Sequence, residues 1–152
     1  MSDSIHIYTD GAASGNPGPG GYGVVMLYKD KRKEISEGFK LTTNNRMELL
    51  AVIVALEHLK KEKCHVVVFS DSKYVVDSID KKWLDGWILK NFKNVKNVDL
   101  WKRLIPLLKK HHVKFTWVKG HASNVENNRC DELAVAAYKQ SNLLIDEGYQ
   151  PS

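Results

Sequence analysis

Apolar positions fall in short blocks along the first third of the chain and in longer stripes after it. "SIHIYTD", residues 4–10, reads as a strand ending near Asp10. "YGVVMLYKD" and "KEISEGFKL" are two more apolar-rich runs, and they flank "KDKRK" as the arms of an antiparallel hairpin would. In "NNRMELLAVIVALEHLKK", residues 44–61, Ala, Leu, Ile and Val cover more than one face. The spacing predicts a largely buried helix, with Thr43 as candidate N-cap. "HVVVFSD" is a continuous apolar run of the kind found in interior parallel strands. A helix is expected from "DSKYVVDSI", then shorter helical pieces leading to "DLWKRLIPLLKKH". "VKFTWVKG" follows as a strand and "NNRCDELAVAAYKQS" as the last helix.

Strands first, then strand and helix in alternation, predict an α/β fold: a mixed sheet with helices on its faces. The runs ending in Asp10 and Asp71 lie parallel if a helical crossover joins them. In open α/β sheets, ligands bind at the carboxyl ends of such strands. No repeat, low-complexity tract or linker interrupts the chain, so residues 1–152 are expected to form a single domain.

Charge adds a location. The formal net charge is +5, but Lys81 to Lys114 alone holds ten Lys/Arg against Asp85 and Asp99. Trp83, Trp87, Phe92 and Trp101 are interleaved with those cations. Such a segment suits a polyanion with flat bases or sugars, or else a solvated helix face with its aromatics packed inward. Composition leaves both open. No apolar run approaches the ~20 residues of a membrane span, and the first residues lack the features of a secretory signal. Cys64 and Cys130 form no paired motif, so a reducing, cytoplasmic setting is expected. His111–His112 and Cys64–His65 read as structural or surface positions, without the spacing of a zinc set.

"GAASGNPGPGGYG" carries six glycines in thirteen residues. It runs toward a strand instead of opening a helix, prolines interrupt it, and no GK[ST] follows, which excludes both common nucleotide loops. A tight multi-turn loop is one reading. The other is that a bulky ligand crosses the backbone beside Asp10. Four acids also need explanation. Asp10 could close a turn, Glu48 could face a helix dipole, Asp71 could be an N-cap, and Asp131 stands near a helix start. Together, they would crowd one rim, and converging carboxylates are costly unless a cation binds them. Oxygen ligands of this kind suit Mg²⁺ or Mn²⁺. Two such ions about 4 Å apart can align a water and a leaving oxygen across a phosphodiester. On this reading a nucleic-acid backbone is what approaches the glycines. His121, in a polar loop, has a side chain suited to proton transfer near neutrality.

The stretches "YTDGAASGNPGPGGYG", "TTNNRMEL", "SDSKYV", "KNVDLW" and "VKGHA…ENNRCDELA", in this order, closely resemble the bacterial-type (type 1) ribonuclease H family over essentially the whole chain. The resemblance implies a ribonuclease H-like fold: a five-stranded mixed sheet, an antiparallel hairpin followed by parallel strands, with helices on both faces. It implies endonucleolytic cleavage of the RNA strand of RNA–DNA hybrids, leaving 5′-phosphate and 3′-hydroxyl ends. Asp10 would bridge two Mg²⁺ ions (Mn²⁺ able to substitute). Asp131 would help hold the ion that activates water, and Glu48 and Asp71 the ion beside the leaving 3′-oxygen. His121 would assist proton movement or product departure. Gly11, Asn16, Asn44 and Asn45 match positions lining the minor groove, and Thr43 and Asn97 a pocket for a DNA-strand phosphate. No organic cofactor or membrane is implied, and a monomer is the simplest expectation.

Two departures from the family pattern matter. Leu41 stands where many relatives place arginine, and the basic segment, about residues 81–97, is shorter than in the best-known bacterial relatives. The salt slope of hybrid binding is therefore expected to be shallower than a longer-handled relative's by about 0.7–0.9 per lost phosphate contact. Equal slopes measured side by side would refute this. Two other functions compete with this one: a hybrid-binding module that has lost chemistry, and another two-metal nuclease such as a transposase-like enzyme or a detached reverse-transcriptase domain. The intact acidic set argues against the first and the full motif set against the second.

Overall fold

The computed structural model describes residues 4–119 and 124–150. Five strands form one mixed sheet in the order β3-β2-β1-β4-β5. β1 (Ile5–Ala13), β2 (Gly18–Tyr28) and β3 (Lys31–Thr42) are an antiparallel meander, while β4 (His65–Ser70) and β5 (His112–Trp117) are added in parallel. The expected parallel pairing of the two Asp-terminated runs is present, with Ile5 to Thr9 in register with Val66 to Ser70. Sequence and structure differ most where β1 meets β2, which starts at Gly18 and not at Tyr22. β1 does not stop near Asp10 but continues to Ala13, because its far half pairs with the glycine-rich start of β2, Ala13 with Gly20.

α1 (Asn44–Glu57) begins where expected, with the Thr43 hydroxyl accepting from the Arg46 amide. It ends at Glu57, short of Lys61, where the apolar stripe gives way to a charged run. Met47, Leu49, Ala51, Val52, Ile53 and Ala55 are fully buried, as a stripe wider than one face requires. α2 (Lys73–Asp80) is capped by Ser72, whose hydroxyl accepts from the Val75 amide. α3 (Trp83–Leu89) and α4 (Val98–Lys110) are joined by a tight loop in which Asn91, Phe92, Asn94 and Asn97 all take left-handed backbone. α5 (Val125–Tyr138) is capped by Asn124.

The basic, aromatic segment divides between its two readings. Trp101 is fully buried, donates from Nε1 to the Tyr74 hydroxyl at 3.0 Å, and meets Trp87 edge-on at 5.3 Å. Trp83, by contrast, is 45% exposed beneath the Lys81 ammonium. The inward rings build core; the outward ring and the segment's lysines are exposed. No helix among the described residues is long and apolar enough to cross a membrane.

Candidate functional site

The glycines answer a packing need. A methyl group at Gly11 would sit within 2.5 Å of the Met47 carbonyl carbon and nearer still to the Glu48 amide, so α1 can lie against β1 only because Gly11 has no side chain. At Gly21 and Gly23 the space is taken by carbonyls of α5, those of Ala134 and Cys130, and at Gly38 by that of Ala137. α1 and α5 therefore cover opposite sides of the strands. On the side where a Cβ would stand, Gly11, Gly21 and Gly23 are met by helix backbone. Gly15, with φ of 86°, and Gly18 shape the turn instead.

These close approaches deliver the acids to one rim. Gly11 brings Glu48, the fifth residue of α1, up to the strand beside Asp10. Gly23 is the register partner of Asp10, and the Cys130 carbonyl fills its open face, so Asp131, the next residue, arrives at Asp10. Asp71 follows the last residue of β4 and stands next to Asp10 through the parallel pairing. Single carboxylate oxygens of Asp10, Glu48 and Asp71 all lie within 4.8 Å of one another. Asp131 is near enough for its charge to raise the pKa of Asp10.

The structural alternatives for three of these acids fail on position. Ser72, not Asp71, caps α2. No acid lies in the first turn of α1, so Glu48 sits beyond the strongest part of the dipole. Asp131 is the seventh residue of α5, whose first-turn acid is Glu126.

Crowding leaves an electrostatic signature. Burial, followed by the charges of Asp71 and Asp131, pushes Asp10 from its ordinary 3.8 up to about 8, although the Gly11 amide donates to its Oδ1 at 3.0 Å. Burial and the charges of Asp10 and Asp71 raise Glu48 well above the usual carboxylate range. Glu48 Oε1 and Asp71 Oδ1 are buried without a hydrogen-bond partner. Unpaired, buried, converging carboxylate oxygens are what a hard divalent cation requires, and the donor set fits one.

At the N-terminal end of α1 is a cleft of about 600 Å³, lined by none of the four acids. Asn16, Thr43, Asn45 and Asn97, four of the six residues expected to touch substrate, line it. Asn44 is tied to it indirectly, its amide donating to Asn16 Oδ1 at 3.2 Å. Gly11 serves the α1 contact. Leu41, at 44% exposure, leaves its position without a cation. His121 lies outside the described residues.

Arg46 was not singled out from the sequence, yet it organises the cleft. Its guanidinium is 2% exposed and donates twice to Asp99 and twice to Asp146, at 2.7–2.9 Å, with a longer bond to Asn97 Oδ1 at 3.3 Å. Asn97 in turn donates to the Tyr74 hydroxyl at 3.1 Å. The only sequence-level signal was an arginine standing in an otherwise apolar stripe.

The family model described as RNase H matches residues 2–139. A curated relative named Ribonuclease H, from Desulforamulus reducens, is 61% identical over 147 residues, covering 93% of this chain and 92% of the relative. Among solved structures, LC9-RNase H1, described as a type 1 RNase H with the type 2 active-site motif, superposes with a TM-score of 0.81 at 31% identity over 98% of this chain and 80% of its own. LC11-RNase H1, solved in complex with an RNA/DNA hybrid, gives a TM-score of 0.66 at 28% identity, covering 89% of this chain and 96% of that one.

Proposed function

Because the chain belongs to the ribonuclease H family, we propose that it cleaves the RNA strand of RNA–DNA hybrids at internal phosphodiesters, leaving 5′-phosphate and 3′-hydroxyl ends. One observation carries the reading: the approach of Asp10, Glu48 and Asp71 to within 4.8 Å, with two buried oxygens left unpaired. A domain that only bound nucleic acid would gain nothing from concentrated negative charge facing phosphates.

Asp10, Glu48, Asp71 and Asp131 are the residues that would hold Mg²⁺, or Mn²⁺ in its place, in two sites when substrate is bound. There the metal supplies charge neutralisation at the phosphodiester and a more acidic water. The remaining work falls to the chain. The Gly11 amide fixes the Asp10 carboxylate through Oδ1 and so its aim. The Asn16–Asn44 bond ties the glycine-rich turn to the start of α1, so the amides lining the groove keep one arrangement. Thr43 and Asn97, in the cleft, would receive the DNA strand's phosphate, and the 2′-hydroxyls would mark the other strand as RNA. His121 would carry a proton at the end of the reaction. The basic segment near residues 81–97 would hold the hybrid electrostatically. The whole chain would act as one monomeric cytoplasmic unit.

The test is a labelled RNA–DNA hybrid incubated with Mg²⁺ or with EDTA, beside RNA–RNA and DNA–DNA duplexes. Metal-dependent cutting confined to the RNA of the hybrid is expected, and Asp10→Asn should abolish it without unfolding the protein. Binding without cutting by the unaltered chain would overturn the proposal.

A further inference from the structure

The chain after α5 turns back across the sheet edge and ends up in the cleft. Leu144 pairs with β3 through two backbone bonds, its amide to the Gly38 carbonyl and its carbonyl to the Lys40 amide, both at 2.9 Å. Asp146, its side chain 7% exposed, then locks onto Arg46 and accepts from the Thr42 hydroxyl at 2.7 Å. A turn closed by the Tyr149 amide on the Asp146 carbonyl at 3.1 Å brings the following residues to the cleft that Asn16 also lines.

Gly148 makes this course possible. Its α-carbon lies against the Asp99–Arg46 ion pair so closely that any side chain would strike the Asp99 carboxylate. Tyr149 and Gln150 then line the same cleft as Thr43, Asn45 and Asn97. Tyr149 remains half-buried there; a ring that merely sealed the core would be covered. At about 600 Å³ the cleft is in the range that takes a small-molecule-sized group, room for a sugar–phosphate unit. Its lining offers an exposed ammonium on Lys96, side-chain amides and a phenol, which together suit a phosphate with a sugar against an aromatic face.

We propose that residues 148–150 are a wall of the nucleic-acid cleft and that Tyr149 contacts the sugar–phosphate backbone of the hybrid, with Asp146 as the positioning residue that holds the wall in place. This rests on the hybrid-cleaving reading above. A chain shortened to end at Glu147 retains the residues of the Leu144 pairing and the Asp146 anchor, so it is expected to fold while lacking the wall.

The experiment compares the unaltered chain, the shortened chain and Tyr149→Ala by steady-state cleavage of a labelled hybrid, by anisotropy of the same hybrid without metal, and by thermal melting. KM and Kd should rise about 3–10-fold in both variants, with kcat within about twofold and the melting temperature within a few degrees. Tyr149→Phe should recover the part that belongs to the ring. Unchanged KM and Kd, tighter binding, or a loss confined to kcat would each overturn the proposal. If the unaltered chain fails to cut the hybrid, the reading beneath it falls instead. If it cuts well and the wall makes no difference, only this inference fails.

Discussion

Replacing Asp10 by Asn should make the metal-free protein more stable while destroying its chemistry. In the unfolded chain Asp10 ionises near 3.8; in the fold, burial and the neighbouring acids move it to about 8. The folded state therefore binds the proton more tightly. The resulting penalty is absent below about pH 4, grows as pH rises from 3.8 to about 8, and is complete above that. At pH 7 it corresponds to about 4 kcal/mol. Asn is nearly isosteric and uncharged, and movement of the acids and entry of water will reduce the gain, so about 2–4 kcal/mol is expected. For a domain of this size that is a melting temperature raised by roughly 5–15 °C. Circular dichroism melts in EDTA at pH 7 and at pH 4 provide the assay, and the difference should nearly vanish at the lower pH. Saturating Mg²⁺ should narrow it from the other side, by stabilising only the unaltered chain. A gain of equal size at both pH values, or a destabilised Asn variant at pH 7, would refute the electrostatic argument.

Gly11→Ala should lower stability by about 2–4 kcal/mol in urea unfolding, and cleavage with it, because its methyl group would meet the backbone of Met47 and Glu48; an unchanged midpoint would contradict the packing assigned to it. Arg46→Met should cost about 3–5 kcal/mol by leaving the buried Asp146 without its cation. Adding Asp146→Asn to that variant should recover part of the loss in the same denaturation assay. Cys130 is buried, its Sγ donates to the Tyr8 carbonyl at 3.2 Å, and burial pushes its thiol up, whereas Cys64 is partly exposed. A thiol-reactive disulfide reagent at pH 8 should therefore titrate one cysteine in the folded protein and both after denaturation.

What could be read from the chain was what repeats locally. The strand runs, the Thr43 cap and the buried stripe of α1 are set by residues within a few positions of each other, and all three are present. The parallel pairing was legible because an apolar helix stands between two apolar strands. The acidic cluster was legible as a suspicion from four isolated acids and sharpened by family resemblance; its distances depend on contacts between distant residues. The extension of β1 past Asp10 was hidden because glycine carries no strand signal, although glycine is what lets Gly21 of β2 pair there under α5. Arg46 and Asp146 lie one hundred residues apart and share no pattern. Only the folded chain puts that carboxylate against that guanidinium, and with it the terminal segment into the cleft.

The seating of α5 on Gly21, Gly23 and Gly38 sets the gap between helix and sheet chiefly by main chain, since carbonyls of Ala134, Cys130 and Ala137 come nearest. Side chains at an interface can trade volume with one another over evolutionary time; carbonyl oxygens resting on α-carbons cannot. Asp131 is thus carried on a helix whose height is set mostly by backbone contact. Anyone grafting this acidic quartet onto another scaffold would have to transplant these three glycines, and Gly11 with them, though none has a functional group.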